Sequence, residues 1–336
     1  MAGTLHPGAP RLSLGFDMRS PDWGPPTVDL YAAAVEMAEW ADGLGFETVV
    51  INEHHNTDDG YIPSPLVLGA GIATRTRRIQ IMISALVVTL HHPLRAAEDL
   101  AVLDLLSGGR VAVVLGAGYR VPEYQMFGVD WKRRPSMMEE AVRTLRQAWT
   151  GEPFDFRGAT VRVLPRPARS GGPPLALAGA SDATARRAAR LGLPYQPVGA
   201  RFYQVYLEEL GRLGRDVPDP GPFSVRGGSR APSFLHVSED PDAAWARIAP
   251  HALHHTNTYA SWAQRKDLTP FRAVTDADEL RANGSHQVLT PEECIELCRR
   301  LGPEGRLSFM PLLGGLDPDL AWESLRLFEN KVLAQL

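Results

Sequence analysis

Short apolar runs with strand character alternate with helical patterns from one end of the chain to the other, and this alternation limits the fold more than any other feature. The runs lie at 12–17, 48–51, 79–88, 110–115, 175–178, 195–199, 233–237 and 307–312. The spacing between them predicts helices. The clearest covers 29–42, where Leu30, Ala33, Ala34, Met37, Ala41 and Leu44 form one stripe, closed by Gly43 and Gly45. Others are expected around Ala70, Ile72 and Ala73, from Pro93 to the Gly108-Gly109 pair, at 202–213, from Thr290-Pro291-Glu292-Glu293 onward, and at 320–336. Ser136-Met137-Met138-Glu139 predicts a capping box at the head of a helix reaching Trp149. About eight strands alternating with helices point to one α/β parallel (β/α)8 TIM barrel rather than two sheets. Residues 1–11 read as a flexible tail and 12–336 as a single domain. Two stretches stand outside the repeat: alternating segments at 151–172 predict a hairpin inserted after strand 4, and the polar stretch 262–286 predicts a cover after strand 7.

In such a barrel the chemistry belongs at the C-terminal ends of the strands. The stretch PPLALAGASDATARRAARLGLP places a small, hydroxyl-bearing turn, Gly179-Ala180-Ser181, between a buried strand and a helix starting near Asp182. Ser181 or Asp182 can cap that helix, and Gly192 with Pro194 stops it. Free N–H groups at the positive end of the helix dipole make the turn a seat for a phosphate, with Ser181 and Thr184 adding hydroxyl donors. The same residues also make a plain capped helix with no ligand.

Glu53-His54-His55 follows the second strand. Neighbouring residues on extended backbone point to opposite faces, so the two histidines cannot chelate one metal together. His91-His92 and His254-His255 share that limit, and no H-E-x-x-H pattern occurs, so no metal site is expected. A histidine at a barrel mouth is either structural or a proton donor or acceptor near neutral pH. Gly116-Ala117-Gly118 lacks the third glycine of a dinucleotide fingerprint, and reads instead as room for a flat ligand against the backbone. Phe16, His55 and Tyr119 fall at strand mouths, where substrate contacts are expected.

With 44% hydrophobic and 22% charged residues and a formal net charge of −4, the composition is that of an ordinary globular protein with no nucleic-acid footprint. No run is apolar and long enough to span a bilayer, and the N-terminus lacks the pattern of a secretion signal, so a cytoplasmic protein is expected. The two cysteines, Cys294 and Cys298, share a helix face, where two buried thiols are expected rather than a disulfide.

Together, GFETVVINEHH, HPLRAAEDLAVLDLLSGGR, FGVD, AGASDATARRAARLGLP and SLRLFENKVL resemble the bacterial luciferase-like flavin monooxygenases, at matching spacing from Leu12 to Leu336. The resemblance implies that reduced FMN, delivered by a separate reductase, reacts with O2 to form a C4a-hydroperoxide that oxygenates a small organic substrate. It implies a flavin phosphate held by Gly179, Ala180, Ser181 and Thr184, and a non-prolyl cis peptide at Ser84-Ala85 under the ring, near Gly118. It also implies that His54 supplies a proton, and that the protein forms a homodimer. Where luciferase carries an arginine near the phosphate, Ala117 stands here. Either Arg120 substitutes from a neighbouring position, or the cofactor differs. That departure keeps open a deazaflavin-dependent hydride transferase. A third reading is a non-catalytic flavin-binding protein.

Overall fold

The computed structural model describes residues 9–223, 232–262 and 272–336. Residues 1–8 of the expected tail and 263–271 of the expected cover lie outside these, while Ala9 is buried.

The first half is regular: β1 (Arg11–Phe16), α1 (Thr27–Leu44), β2 (Thr48–Ile51), α2 (Pro65–Arg75), β3 (Gln80–Leu86), α3 (Pro93–Ser107) and β4 (Val111–Leu115). After β4 come a short helix α4 (Val121–Met126), helix α5 (Arg134–Ala148) and the antiparallel hairpin β5 (Phe154–Phe156) and β6 (Ala159–Val161). The alternation resumes with β7 (Leu175–Gly179), α6 (Asp182–Leu191), β8 (Tyr195–Pro197) and α7 (Ala200–Arg212). The last part carries β9 (Phe234–Val237), α8 (Pro241–Trp262), α9 (Asp278–Ala282), β10 (His286–Leu289), α10 (Pro291–Leu301), β11 (Arg306–Phe309) and α11 (Pro318–Leu327).

Seven strands form one parallel sheet in the order β11-β1-β2-β3-β4-β7-β8, and β9 pairs in parallel with β10 as a separate two-stranded sheet. β9 lies near β11. Helices cover the outside, so the architecture is an α/β, TIM-like parallel barrel.

Alternation along each strand divides the core. Leu12 and Leu14, Val49 and Ile51, Ile81 and Ile83, Val113 and Leu115, and Leu177 join the main core with the helices. The other face is smaller: Val50, Ala112, Val114, Ala176 and Ala178 form a separate cluster with Met82 and Phe223, and Ser13 Oγ lies 2.9 Å from Ser308 Oγ. Small side chains on the inner face leave backbone approachable at the strand ends.

Four sequence expectations need correction. Ser136 heads no capping box: α5 begins earlier, with Pro135 in its first turn, and Ser136 Oγ donates to the Arg133 carbonyl at 2.9 Å. The capping box is at Thr290 and Glu293, where each side chain reaches the other's backbone N–H. α8 and β10 add a long helix and a parallel strand that the apolar pattern did not announce. The terminal helix ends at Leu327 and continues as a wider π turn over Phe328–Val332. Cys294 and Cys298 are buried free thiols, as expected.

Candidate active site

β2 ends at a buried junction that sends its two histidines to different carboxylates. His54 Nδ1 lies 2.8 Å from Glu123 Oε1, and His55 Nε2 lies 2.9 Å from Glu53 Oε1. Glu53 is saturated: Oε1 also meets His91 Nε2 at 2.7 Å, and Oε2 accepts the Val87 N–H. Burial opposes its ionisation, but the hydrogen bonds from His55 and His91 outweigh burial and hold its pKa down at about 2. The same pairing raises the pKa of His91 against the effect of burial. This cluster braces the end of β2 against the loops that follow β3.

Glu123 comes from α4, just past β4, and is fully enclosed. Its Oε1 also accepts the His55 N–H at 3.2 Å and Arg120 Nη1 at 3.2 Å, while Oε2 has no partner among the described residues. Arg120 further donates to the carbonyls of His55, at 2.6 Å, and Asn56, at 3.2 Å, and its guanidinium stands 4.0 Å from the Trp262 ring centre. Its donors therefore hold the β2 end and Glu123.

The other ring nitrogen of His54 faces Tyr119 Oη at 3.4 Å. Burial lowers the pKa of His54 against the opposing pull of Glu123. The imidazole is therefore neutral near pH 7, and with Nδ1–H donating to a carboxylate its lone pair lies on Nε2.

Aromatic rings wall this side: Tyr61, Tyr259 and Trp262 have centroids 4.9, 6.1 and 4.8 Å from that of His54. Two of them come from α8, which a buried ionic group anchors. Arg19 pairs with Asp59, lies within 5 Å of the same three rings, and Asp59 takes His254 Nε2 at 2.8 Å. The pKa of Asp59 stays well below the usual carboxylate range: burial opposes this, but the His254 hydrogen bond and Arg19 prevail.

The second group lies at β3, β4 and β7. Ser181 caps α6 by accepting the Thr184 N–H at 3.1 Å, and its hydroxyl lies 2.9 Å from that of Thr184. Gly179 permits this tight turn, since a Cβ there would fall 2.6 Å from Thr184 Cγ2. The Ser84–Ala85 peptide is cis. Gly116 lets β4 approach Ala85, whose Cβ would be 3.0 Å from an added methyl, and Gly118 has φ +64° with Val87 Cγ1 2.8 Å from its absent Cβ.

His54, His55, Tyr119 and Arg120 are thus brought together around Glu123, while Ser84, Ala85, Gly118, Gly179, Ala180, Ser181 and Thr184 lie at the ends of β3, β4 and β7. Because all these strands run parallel, both groups occupy the same rim. Phe16 does not join them: it faces outward with Leu12 and Leu14 in the main core, and the ring of His55 turns to Glu53 and Phe127. Glu123 and Arg19 escaped the sequence reading, and Glu53 entered it only as part of the Glu53-His54-His55 run, without a role. The only local signal for Glu123 was its place behind Pro122 in the first turn of a helix, which is also an ordinary helix start. Among the described residues no His, Cys, Asp and Glu cluster could hold a metal, and no helix is long and apolar enough to cross a membrane.

A family profile described as luciferase-like monooxygenase matches residues 16–302. The 4-hydroxyprotoasukamycin monooxygenase of Streptomyces nodosus subsp. asukaensis is 28% identical over 327 residues, covering 89% of this chain and 85% of its own. An F420-dependent glucose-6-phosphate dehydrogenase of Amycolatopsis mediterranei is 26% identical over 211 residues, covering 59% of this chain and 61% of its own. Among solved structures, monooxygenase RslO1 from Streptomyces bottropensis has a TM-score of 0.73 at 22% identity, covering 96% of this chain and 99% of that one.

Proposed function

The chain belongs to the luciferase-like monooxygenase family, a family of oxidoreductases, and on that premise we propose a flavin-dependent monooxygenase. It takes reduced FMN from a separate reductase and uses O2 to oxygenate a small organic substrate. One observation carries the choice of reaction: similarity to a monooxygenase runs along 89% of the chain, against 59% for the dehydrogenase.

The residues fit a flat, phosphate-bearing cofactor. Gly116 and Gly118 let the β4 mouth pack closely against Ala85 and Val87, and α6 presents its N-terminus beside the hydroxyls of Ser181 and Thr184. On this reading Gly179, Ala180, Ser181 and Thr184 hold the phosphate, and the ring lies over Ser84, Ala85 and Gly118. When bound there, the flavin supplies the electrons and the oxygen-reactive ring. The chain does the rest. Glu123 orients His54, Arg120 fixes the loop that carries both histidines, and the α8 rings exclude water. Tyr119 meets the substrate at the mouth. A homodimer is part of the proposal, supported by exposed apolar side chains on the adjacent helices α2 and α3: Val67, Val102, Leu105 and Leu106.

Hydride transfer with a deazaflavin is the second reading, favoured by Ala117 and by the dehydrogenase similarity. Anaerobic titration separates the two. Reduced FMN is expected to bind with a Kd of about 1 μM or tighter, roughly −8 kcal/mol, and a reduced deazaflavin more weakly. Binding of the deazaflavin alone would overturn the FMN reading in favour of the second.

A further inference from the structure

We propose that the Trp262 indole fills the place of a substrate ring, and that it turns away at the end of α8 to admit a flat, electron-rich aromatic molecule of similar size. The proposal rests on the oxidoreductase reading of this site and adds to it a substrate class and a specificity-determining residue.

The surroundings of the indole are those of a ring-binding site. The guanidinium carbons of Arg120 and Arg19 stand over its ring, 4.0 and 4.9 Å from the centre. The rings of His54, Tyr259 and Tyr61 meet it at centroid distances of 4.8, 5.3 and 6.1 Å, all tilted or edge-on, as aromatic pairs prefer. The chemistry of the two arginines disfavours an anion as the occupant. Arg120 spends Nη1 on Glu123 and the His55 carbonyl, and Nη2 on the Asn56 carbonyl. Arg19 is paired with Asp59, and its Nε lies 3.5 Å from Asp17. What remains for Trp262, or for a ring in its place, is the attraction of a cation for a π face.

Of the three wall rings, Trp262 is the one able to leave. Tyr61 and Tyr259 are tied to each other through hydroxyls 2.7 Å apart. Elsewhere in the molecule, indole N–H groups fix the tryptophans that pack the fold: Trp149 donates to the Ala97 carbonyl at 3.1 Å and Trp245 to Asp278 at 2.6 Å. The Trp262 N–H has no such partner among the described residues. Trp262 is also half-buried and the last residue of α8, so turning its side chain strands no polar group and breaks no helical hydrogen bond. Movement is required as well. With the indole in place His54 is 8% exposed, so a substrate reaches it only by displacing a ring of the wall.

An aromatic substrate that takes the vacated place regains every contact the indole gives up, including both cations. A saturated molecule of the same shape buries similar apolar area but gains nothing from the guanidiniums. That difference sets the substrate class.

Fluorine-19 NMR of protein labelled with 5-fluorotryptophan tests this without turnover, with the Trp262 signal assigned from its loss in Trp262→Phe. The probe is 2-naphthol, and its saturated counterpart decahydro-2-naphthol is the control. Each is titrated into the cofactor-free protein, and again with reduced FMN present under anaerobic conditions. Naphthol is expected to shift the Trp262 signal saturably toward that of a solvent-exposed fluorotryptophan, and the saturated alcohol to leave it in place. Trp262→Ala is expected to bind naphthol about tenfold tighter or more, because the site no longer has to open first. Equal or weaker binding would make the indole a contact rather than a placeholder and overturn the proposal. So would a wild-type signal that naphthol leaves unmoved in both preparations, or that the saturated alcohol moves equally, and these two readings hold even if Trp262→Ala does not fold. If reduced FMN binds but naphthol does not displace the indole, the oxidoreductase reading stands and this substrate class fails. If the indole is displaced but no redox cofactor binds, the ring site stands and the oxidoreductase reading fails.

Discussion

Glu53 and Glu123 divide two adjacent histidines between a brace and a working site, and the brace has a pH signature of its own. Glu53 has its pKa lowered from 4.5 to about 2, so its contribution is present above 4.5 and is lost as the pH falls through 2. His91 has its pKa raised from 6.5, so its contribution is present below 6.5 and is lost as the pH rises through the raised value. The pair therefore stabilises most between pH 4.5 and 6.5. Glu53→Gln should cost about 3 kcal/mol in that window, the size of a hydrogen bond to a buried charge, and progressively less on either side. Urea unfolding of wild type and variant across pH reads the difference directly. A cost that does not vary with pH would mean that Glu53 acts by packing rather than by charge.

At the scale of elements, the β7–α6 turn ties fold and function to the same atoms. A methyl at Gly179 meets the Thr184 side chain at 2.6 Å and displaces the hydroxyl that the phosphate is proposed to use. Gly179→Ala should weaken reduced FMN at least tenfold, about 1.4 kcal/mol, while circular dichroism still reports a folded barrel. Unchanged affinity would move the phosphate elsewhere. This element was readable because its signals are local: an apolar run, a small turn, a hydroxyl cap and a terminating glycine lie within one short stretch. The same kind of signal misled at α5, where Ser136 and Glu139 have capping-box spacing but Pro135 starts the helix sooner. α8 was invisible because Pro250 interrupts it and its buried face includes His251, His255 and Thr256. β10 escaped for a related reason, with His286 on its buried face. Glu123 was unreadable for a different reason: its partner His54 is 69 residues away, and only the fold brings them together.

For the whole molecule, parallel strands put every C-terminal end on one rim, so residues far apart in the chain converge without any local plan. That is why barrel and rim could be anticipated from alternation, while the partition of the rim could not. One part holds small residues and glycines beside a helix N-terminus. The other holds a buried histidine, two arginines and an aromatic wall carried by α8. The account assigns cofactor to the first and proton transfer to the second. Rapid mixing of the anaerobic protein–reduced FMN complex with oxygenated buffer, following oxygen and flavin absorbance together, tests this most directly. A protected site predicts that oxygen is consumed before oxidised flavin appears, with a delay absent for reduced FMN free in solution. Reoxidation at the rate of the free cofactor, or no oxygen uptake at all, would contradict a monooxygenase.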